Sequence, residues 1–336
     1  MVSNMYVPIL KSKRGEMAAI RHTYDDVIPS VIPLIEILPE YTKTKTTIYK
    51  KLKKNWRGEK ILVDVSYCGD DGLKILEGIH QELSDALRII PVFRTSSTNG
   101  VIAKAREIVG VSNEGYCLRV DISDLKDVAR IQGFISTSLI DVKDIALLVD
   151  LSFVDDEETY KSSLALVENI ANLSDYKSLI VASGCSPDTL TDYKVGEDNF
   201  IERLEWQYWR KYRGSLSRSS TYSDYTTQHP FVLPPGNFPG SKSIRYTIED
   251  QVAVLRGKQS DPSDAYLEHA ANLHDYTDYY SGEDFSYGDK YIKEKRDIFD
   301  AGGTNDPGNP TSWVMVRVNH HIAFVVKRDL AAIAAE

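Results

Sequence analysis

The chain has 336 residues, 42% of them hydrophobic and 26% charged, the balance of a soluble globular protein with room for one large core or two ordinary ones. No run reaches the ~18 consecutive apolar residues needed to cross a bilayer, and the formal net charge of −9 argues against indiscriminate binding to nucleic acid or anionic membrane. The opening MVSNMYVPILKSKRGE sets its apolar stretch before its basic cluster, the reverse of a secretory signal, so a cytoplasmic protein is expected.

In chain order, short Val- and Ile-rich runs recur at residues 6–10, 31–37, 61–65, 89–93, 116–122, 145–151 and 178–182. Each has strand length and is apolar on both faces, as in a parallel sheet covered by helices. The stretches between them read as helices. Residues 72–87 place Leu73, Leu76, Ile79, Leu83 and Leu87 on one stripe. Residues 125–139 form a second helix behind Ser123 and Asp124 as caps, and 159–173 a third. Repetition at roughly 25 to 35 residues is the mark of right-handed βαβ units. An eighth strand is expected at 220–226, after a helical stretch at 200–212. The first strand is followed by Lys11-Ser12-Lys13-Arg14-Gly15, with no G-x-G-x-x-G and no Walker motif, which favours a closed barrel over an open dinucleotide-binding sheet. The expected fold is α/β, a (β/α)8 TIM-type barrel over 1–226. A C-terminal α+β elaboration over 227–336 packs on it. That elaboration begins with a Pro/Gly loop, HPFVLPPGNFPGSKS. Candidate strands follow at 244–249 and 251–256, then a helix at 264–273, a tyrosine-rich acidic stretch at 276–291 and an apolar run at 313–326 read as a strand.

Several of these segments resemble one known family. YVPILKSKRGE at the start, PLIEI at 33–37, YSDYT at 222–226, SIRYT at 243–247, VLRG at 254–257 and WVMVRVNHH at 313–321 are similar to the beta-protein family. That family is named after a protein of a T-even bacteriophage. Its members are widespread in bacteria, often among mobile-element or antiviral defence genes. The resemblance runs nearly end to end and implies a phage- or defence-associated setting, but no activity. The family's usual Tyr-Gly-Asp-Tyr reads Tyr222-Ser223-Asp224-Tyr225 here, which keeps the aspartate.

In a (β/α)8 barrel the functional face lies where the strands end. Taking the polar residue at each end gives Lys11, Glu36, Asp64, Arg94, Arg119 with Asp121, Asp150, Ser183 and Asp224. Cys117, Arg119 and Asp121 share a parity and therefore a strand face. One reading is an ion-pair network that satisfies a polar layer. The other is a site, because buried charges are costly and rarely gather without use. As a site, the carboxylates suit Mg²⁺ or Mn²⁺, and Lys11, Arg94 and Arg119 suit a phosphorylated or other small anionic ligand. A metal-dependent hydrolase of a phosphorylated substrate would follow. Lys11 as a Schiff-base lysine of a pyridoxal-phosphate barrel has little behind it, since Lys13 and Arg14 make its surroundings a solvated basic loop. The alternative to an enzyme is a recognition protein working with a partner protein in phage–host conflict.

A second constellation gathers Arg245, Tyr246, Arg256, Trp313, Arg317, Asn319, His320 and His321. If Arg245 or Arg317 folds over the barrel mouth, an anion site results. Two basic stretches with interleaved aromatics, 43–60 and 206–218, have the composition of single-stranded nucleic-acid platforms. The favoured reading is solvated outer helix faces with the aromatics packed on the barrel. Cys68, Cys117 and Cys185 lack metal-ligand spacing.

Overall fold

The computed structural model describes residues 5–41, 45–232, 241–276 and 278–336. Among the described residues eleven strands run in chain order. They are β1 (Tyr6–Lys11), β2 (Leu34–Glu36), β3 (Lys60–Asp64), β4 (Arg88–Phe93), β5 (Tyr116–Asp121), β6 (Ile145–Phe153), β7 (Ser178–Gly184), β8 (Asp198–Glu202), β9 (Ser220–Asp224), β10 (Ile244–Ile248) and β11 (Gln251–Leu255). Strands β1 to β7 and β9 close an eight-stranded barrel in which every pairing is parallel, with β9 between β7 and β1. Helices lie between successive strands, so the chain is a (β/α)8 TIM-type barrel with additional C-terminal elements.

The period of two along each strand sorts the side chains. Val7, Ile9, Leu34, Leu62, Ile90, Val92, Cys117, Leu148, Ile180, Ala182 and Tyr225 pack together inside the barrel. The alternate residues, among them Tyr6, Leu10, Ile35, Val63, Leu118, Val149 and Tyr222, join the larger core between barrel and helices. Continuing the inward parity by two residues past each apolar layer leads to Lys11, Glu36, Asp64, Arg94, Arg119 and Asp150. Register then brings Lys11 beside Glu36, and Glu36 beside Asp64.

Three segments depart from their sequence reading. Residues 200–212 are the strand β8 followed by the helix Leu204–Tyr212. β8 leaves the barrel and pairs antiparallel with β11, which pairs with β10, so the small sheet draws on both sides of residue 226. The helical stretch 125–139 is two helices, Ile122–Lys126 and Val128–Ser138, meeting at Asp127. The apolar run 313–326 is no strand but the body of the helix Pro310–Phe324. Asn309 caps it through a capping box with Ser312, and Pro310 occupies its first turn. The helix is apolar nearly all round because it is buried between the helix Arg14–Arg21, the helix Tyr287–Asp300 and β10. Against the second of these the backbones approach so closely that a Cβ at Gly288 would lie 2.5 Å from the Val316 carbonyl oxygen. The Pro/Gly loop expected after the barrel lies in part, at 233–240, outside the described residues.

Two buried contacts fasten this helix to the barrel. Asn319 Nδ2 donates to the Ala19 carbonyl at 2.9 Å. His321 lies between the Asp224 carboxylate at the end of β9 and the Thr247 hydroxyl of β10, at 2.9 Å from each. Replacing the imidazole removes a hydrogen-bond partner from the fully buried Asp224 and from Thr247, and leaves a cavity between the helix and the barrel. His321→Ala is therefore expected to lower the unfolding free energy by about 3 kcal/mol. Urea denaturation measures it, and an unchanged midpoint would contradict the anchoring role.

Candidate functional site

At the carboxyl ends of the strands, Arg119 sits at the centre of the barrel with 1% of its surface exposed. Its Nη1 donates to Glu36 Oε1 at 2.9 Å and to Asp64 Oδ2 at 3.0 Å. Its Nε and Nη2 both donate to Asp150 Oδ2, at 3.0 and 2.7 Å, and Nη2 also reaches the Tyr225 hydroxyl at 2.7 Å. The Tyr225 hydroxyl in turn donates to Asp150. Arg94 adds a second cation to Asp64 at 3.2 Å. Lys11, also buried, donates to the His229 carbonyl at 3.0 Å.

Two carboxylates on this one guanidinium are tuned in opposite directions. Burial dominates at Glu36 and pushes its pKa up, with Arg119 and Lys11 offsetting only part, and its Oε2 has no hydrogen-bond partner. At Asp64 burial is outweighed by Arg119, by Arg94 and by hydrogen bonds from Ser66, and the pKa lies below the usual carboxylate range. The donor set that was a candidate for Mg²⁺ or Mn²⁺ thus converges on a guanidinium already at its centre. Among the described residues no group of three or more His, Cys, Asp or Glu is arranged to hold a metal ion.

Four sequence-derived candidates lie elsewhere. Asp121 has the inward parity, but β5 ends on it. Its carboxylate turns back to accept from the backbone of Ser123 and Asp124, capping the next helix. Asp224 shares the parity of Tyr222, so it faces the helices rather than the barrel mouth. There it accepts from the hydroxyls of Tyr6 and Tyr222, from the Thr226 amide and from His321. The inward residue at that strand end is Tyr225, which parity with Ser223 would have indicated. Tyr246 and His320 stack on one another at 3.8 Å between ring centroids, and both bond the buried Asp289. Because residues 310–324 are helical, His320 and His321 point to different faces and serve different aspartates.

Arg245 and Arg317 do meet, beside the barrel mouth. They line a cleft of about 630 Å³ between the loop 188–195, the β10–β11 hairpin and the first half of the helix Pro310–Phe324. Arg256 and Lys258, which the strand-end reasoning did not include, line it as well. Opposite these four cations the lining has one carboxylate, Asp188. Arg245 is 8% exposed. Its Nη1 donates to Ser186 Oγ and to the Thr227 carbonyl, and its Nε has no partner. Arg317 makes no ion pair or hydrogen bond with any described residue, and its Nε too is buried and unpartnered. Glu16 acts on Arg317 only from beyond ion-pair contact and accepts from the Lys11 amide instead. Burial lowers the pKa of both guanidinium groups, to about 9 at Arg245, where the Arg317 charge adds to the fall, and to about 10 at Arg317. Arginine stays charged across the physiological range. The shifts arise because Arg245 is buried and Arg317 half-buried with no carboxylate within ion-pair distance among the described residues.

The basic stretches resolve into outer helix faces where they are described. Tyr49, Trp56, Trp206 and Trp209 are buried in the core. Arg210, Lys211 and Arg213 pair with Asp250, Glu157 and Glu336, and Arg218 donates to backbone carbonyls. Lys43 lies outside the described residues. Among the described residues no helix is long and apolar enough to cross a membrane.

A family model described as Beta protein matches residues 6–327. No curated protein matches the chain significantly.

The Arg119 cluster predicts its own pH dependence. In the wild type the depressed Asp64 pKa contributes stability that is present above about pH 4 and is lost on acidification. In Arg119→Met, Glu36 loses its ion-pair partner and Asp64 keeps only Arg94, so their folded-state pKa values rise and stability is instead lost as pH increases. The variant is expected to be destabilised by roughly 3–5 kcal/mol at pH 8 and by clearly less at pH 5. Urea midpoints at the two pH values measure this, and an equal defect at both would show that the carboxylates do not depend on the guanidinium.

Proposed function

The chain belongs to the Beta protein family, and we propose that it is a recognition barrel that binds a small anionic, phosphate-type ligand in the cleft between Arg245 and Arg317. The observation that carries this reading is a pair of guanidinium groups, Arg245 buried and Arg317 half-buried, that face one cavity and have no carboxylate partner within ion-pair distance among the described residues. The fully buried Arg119 and Arg203, by contrast, are met by acids, Arg119 by Glu36, Asp64 and Asp150 and Arg203 by Asp329. A bound anion would supply the missing charge, and guanidinium forks suit phosphate and carboxylate geometry.

Hydrolysis assisted by Mg²⁺ or Mn²⁺ has weaker support. It requires Glu36, Asp64 and Asp150 to face an open cation position, and one oxygen of each is engaged by Arg119, with Tyr225 also on that of Asp150. The phage- and defence-associated setting implied by the resemblance suits a recognition protein that reports on its ligand through a partner protein.

Calorimetric titration of inorganic phosphate tests the reading. The wild type is expected to bind at one site, and Arg317→Met to bind at least about tenfold more weakly, the order expected for a lost charged hydrogen bond. Asp121→Asn, a helix cap outside the cleft, should bind as the wild type does. Absence of binding by the wild type, or undiminished binding by Arg317→Met, would sink the proposal.

A further inference from the structure

The cleft is too large and its charge too spread for a single phosphate. Its volume of about 630 Å³ falls within the range of sites for organic ligands. A bare phosphate would fill only the order of two or three water volumes of it. The cations also form two pairs. Arg245 is buried and feels the Arg317 charge, Arg317 and Arg256 are half-buried, and Lys258, two residues past Arg256, is exposed. Arg256 is anchored at one nitrogen only, Nη1 donating to the Thr191 and Tyr193 carbonyls. Its Nε is buried and unpartnered, like those of Arg245 and Arg317. The Lys258 ammonium has no ion-pair partner among the described residues.

Resting on the proposed function, we infer that the ligand is an organic diphosphate, with one anionic group on the Arg245–Arg317 pair and a second on Arg256 and Lys258. The remaining walls suit the organic part. Ser241, Ser243 and Thr189 offer hydroxyl groups, while Leu190 and the 41% exposed Val195 give an apolar edge. Asp188, the acid of the lining, disfavours a ligand that is anionic along its whole length.

Titration of inorganic phosphate, inorganic pyrophosphate and ADP into the same protein separates this inference from the reading beneath it. Pyrophosphate is expected to bind about tenfold or more tightly than phosphate, and ADP at least as tightly as pyrophosphate. Lys258→Met changes an exposed side chain, so the fold is expected to persist. It should collapse the pyrophosphate preference to about that of phosphate while leaving phosphate affinity in place. Arg256→Met should do the same, with thermal melts reporting any loosening of the loop 188–195. Equal affinity for phosphate and pyrophosphate, or a preference that survives both substitutions, would overturn the second subsite and leave the Arg245–Arg317 site standing. Binding of pyrophosphate with exclusion of ADP would overturn the organic part. Failure of all three probes to bind would overturn the inference together with the site it rests on.

Discussion

One guanidinium holds the mouth of this barrel together. Arg119 on β5 is shared among Glu36 on β2, Asp64 on β3, Asp150 on β6 and Tyr225 just beyond β9, residues 31 to 106 positions away in sequence. Three carboxylates placed this close and this deeply buried would repel one another and shed charge by protonation. With the guanidinium at their centre, they become a layer of directional bonds linking strands on opposite sides of the barrel. The apolar layers below it can then stay dry, and the polar strand ends need no solvent.

The elements after the barrel depend on that layer being self-contained. Because Arg119 satisfies the strand-end carboxylates from within, the C-terminal segment meets one charge there, Lys11, through the His229 carbonyl. It packs otherwise against the outer wall, through Asp224–His321, Asn319 with the Ala19 carbonyl, and the aromatic stack around His320. The helix Pro310–Phe324 so placed carries Arg317 to one side of the mouth, and the β10–β11 hairpin carries Arg245 and Arg256 to meet it. Architecture and the proposed recognition thus fall to two sets of arginines. One set is saturated with carboxylates. The other is short of them.

Much of this was legible in the sequence, for a physical reason. Barrel strands covered on both faces must be apolar, so a charge at a strand end stands out. The period of two then sorts which of those charges turn inward, as it did for Lys11, Glu36, Asp64, Arg119 and Asp150. Asp224 was misjudged because polarity was weighed above parity, although Tyr222 beside it on the same face is large and apolar and belongs to the outer core. Asp121 has the right parity but lies where the chain leaves the strand, and a capping carboxylate is indistinguishable from a catalytic one until the following helix is placed. The 313–326 run was illegible as a helix because burial on several sides removes the amphipathic stripe by which helices are recognised. Its start was readable in Asn309, Pro310 and Ser312. The pairing of Arg245 with Arg317 could be posed from sequence as a condition, but no local rule brings a hairpin and a helix some seventy residues apart to one cleft.

The division between a saturated and an unsaturated set of arginines is tested most directly by locating a bound oxyanion. Crystals soaked in tungstate, an electron-dense phosphate mimic, should show anomalous density within hydrogen-bonding distance of Arg245 and Arg317. No density is expected at Arg119. Density at the strand ends among Lys11, Arg94 and Arg119, with the cleft unoccupied, would contradict the division and return the functional site to the centre of the barrel.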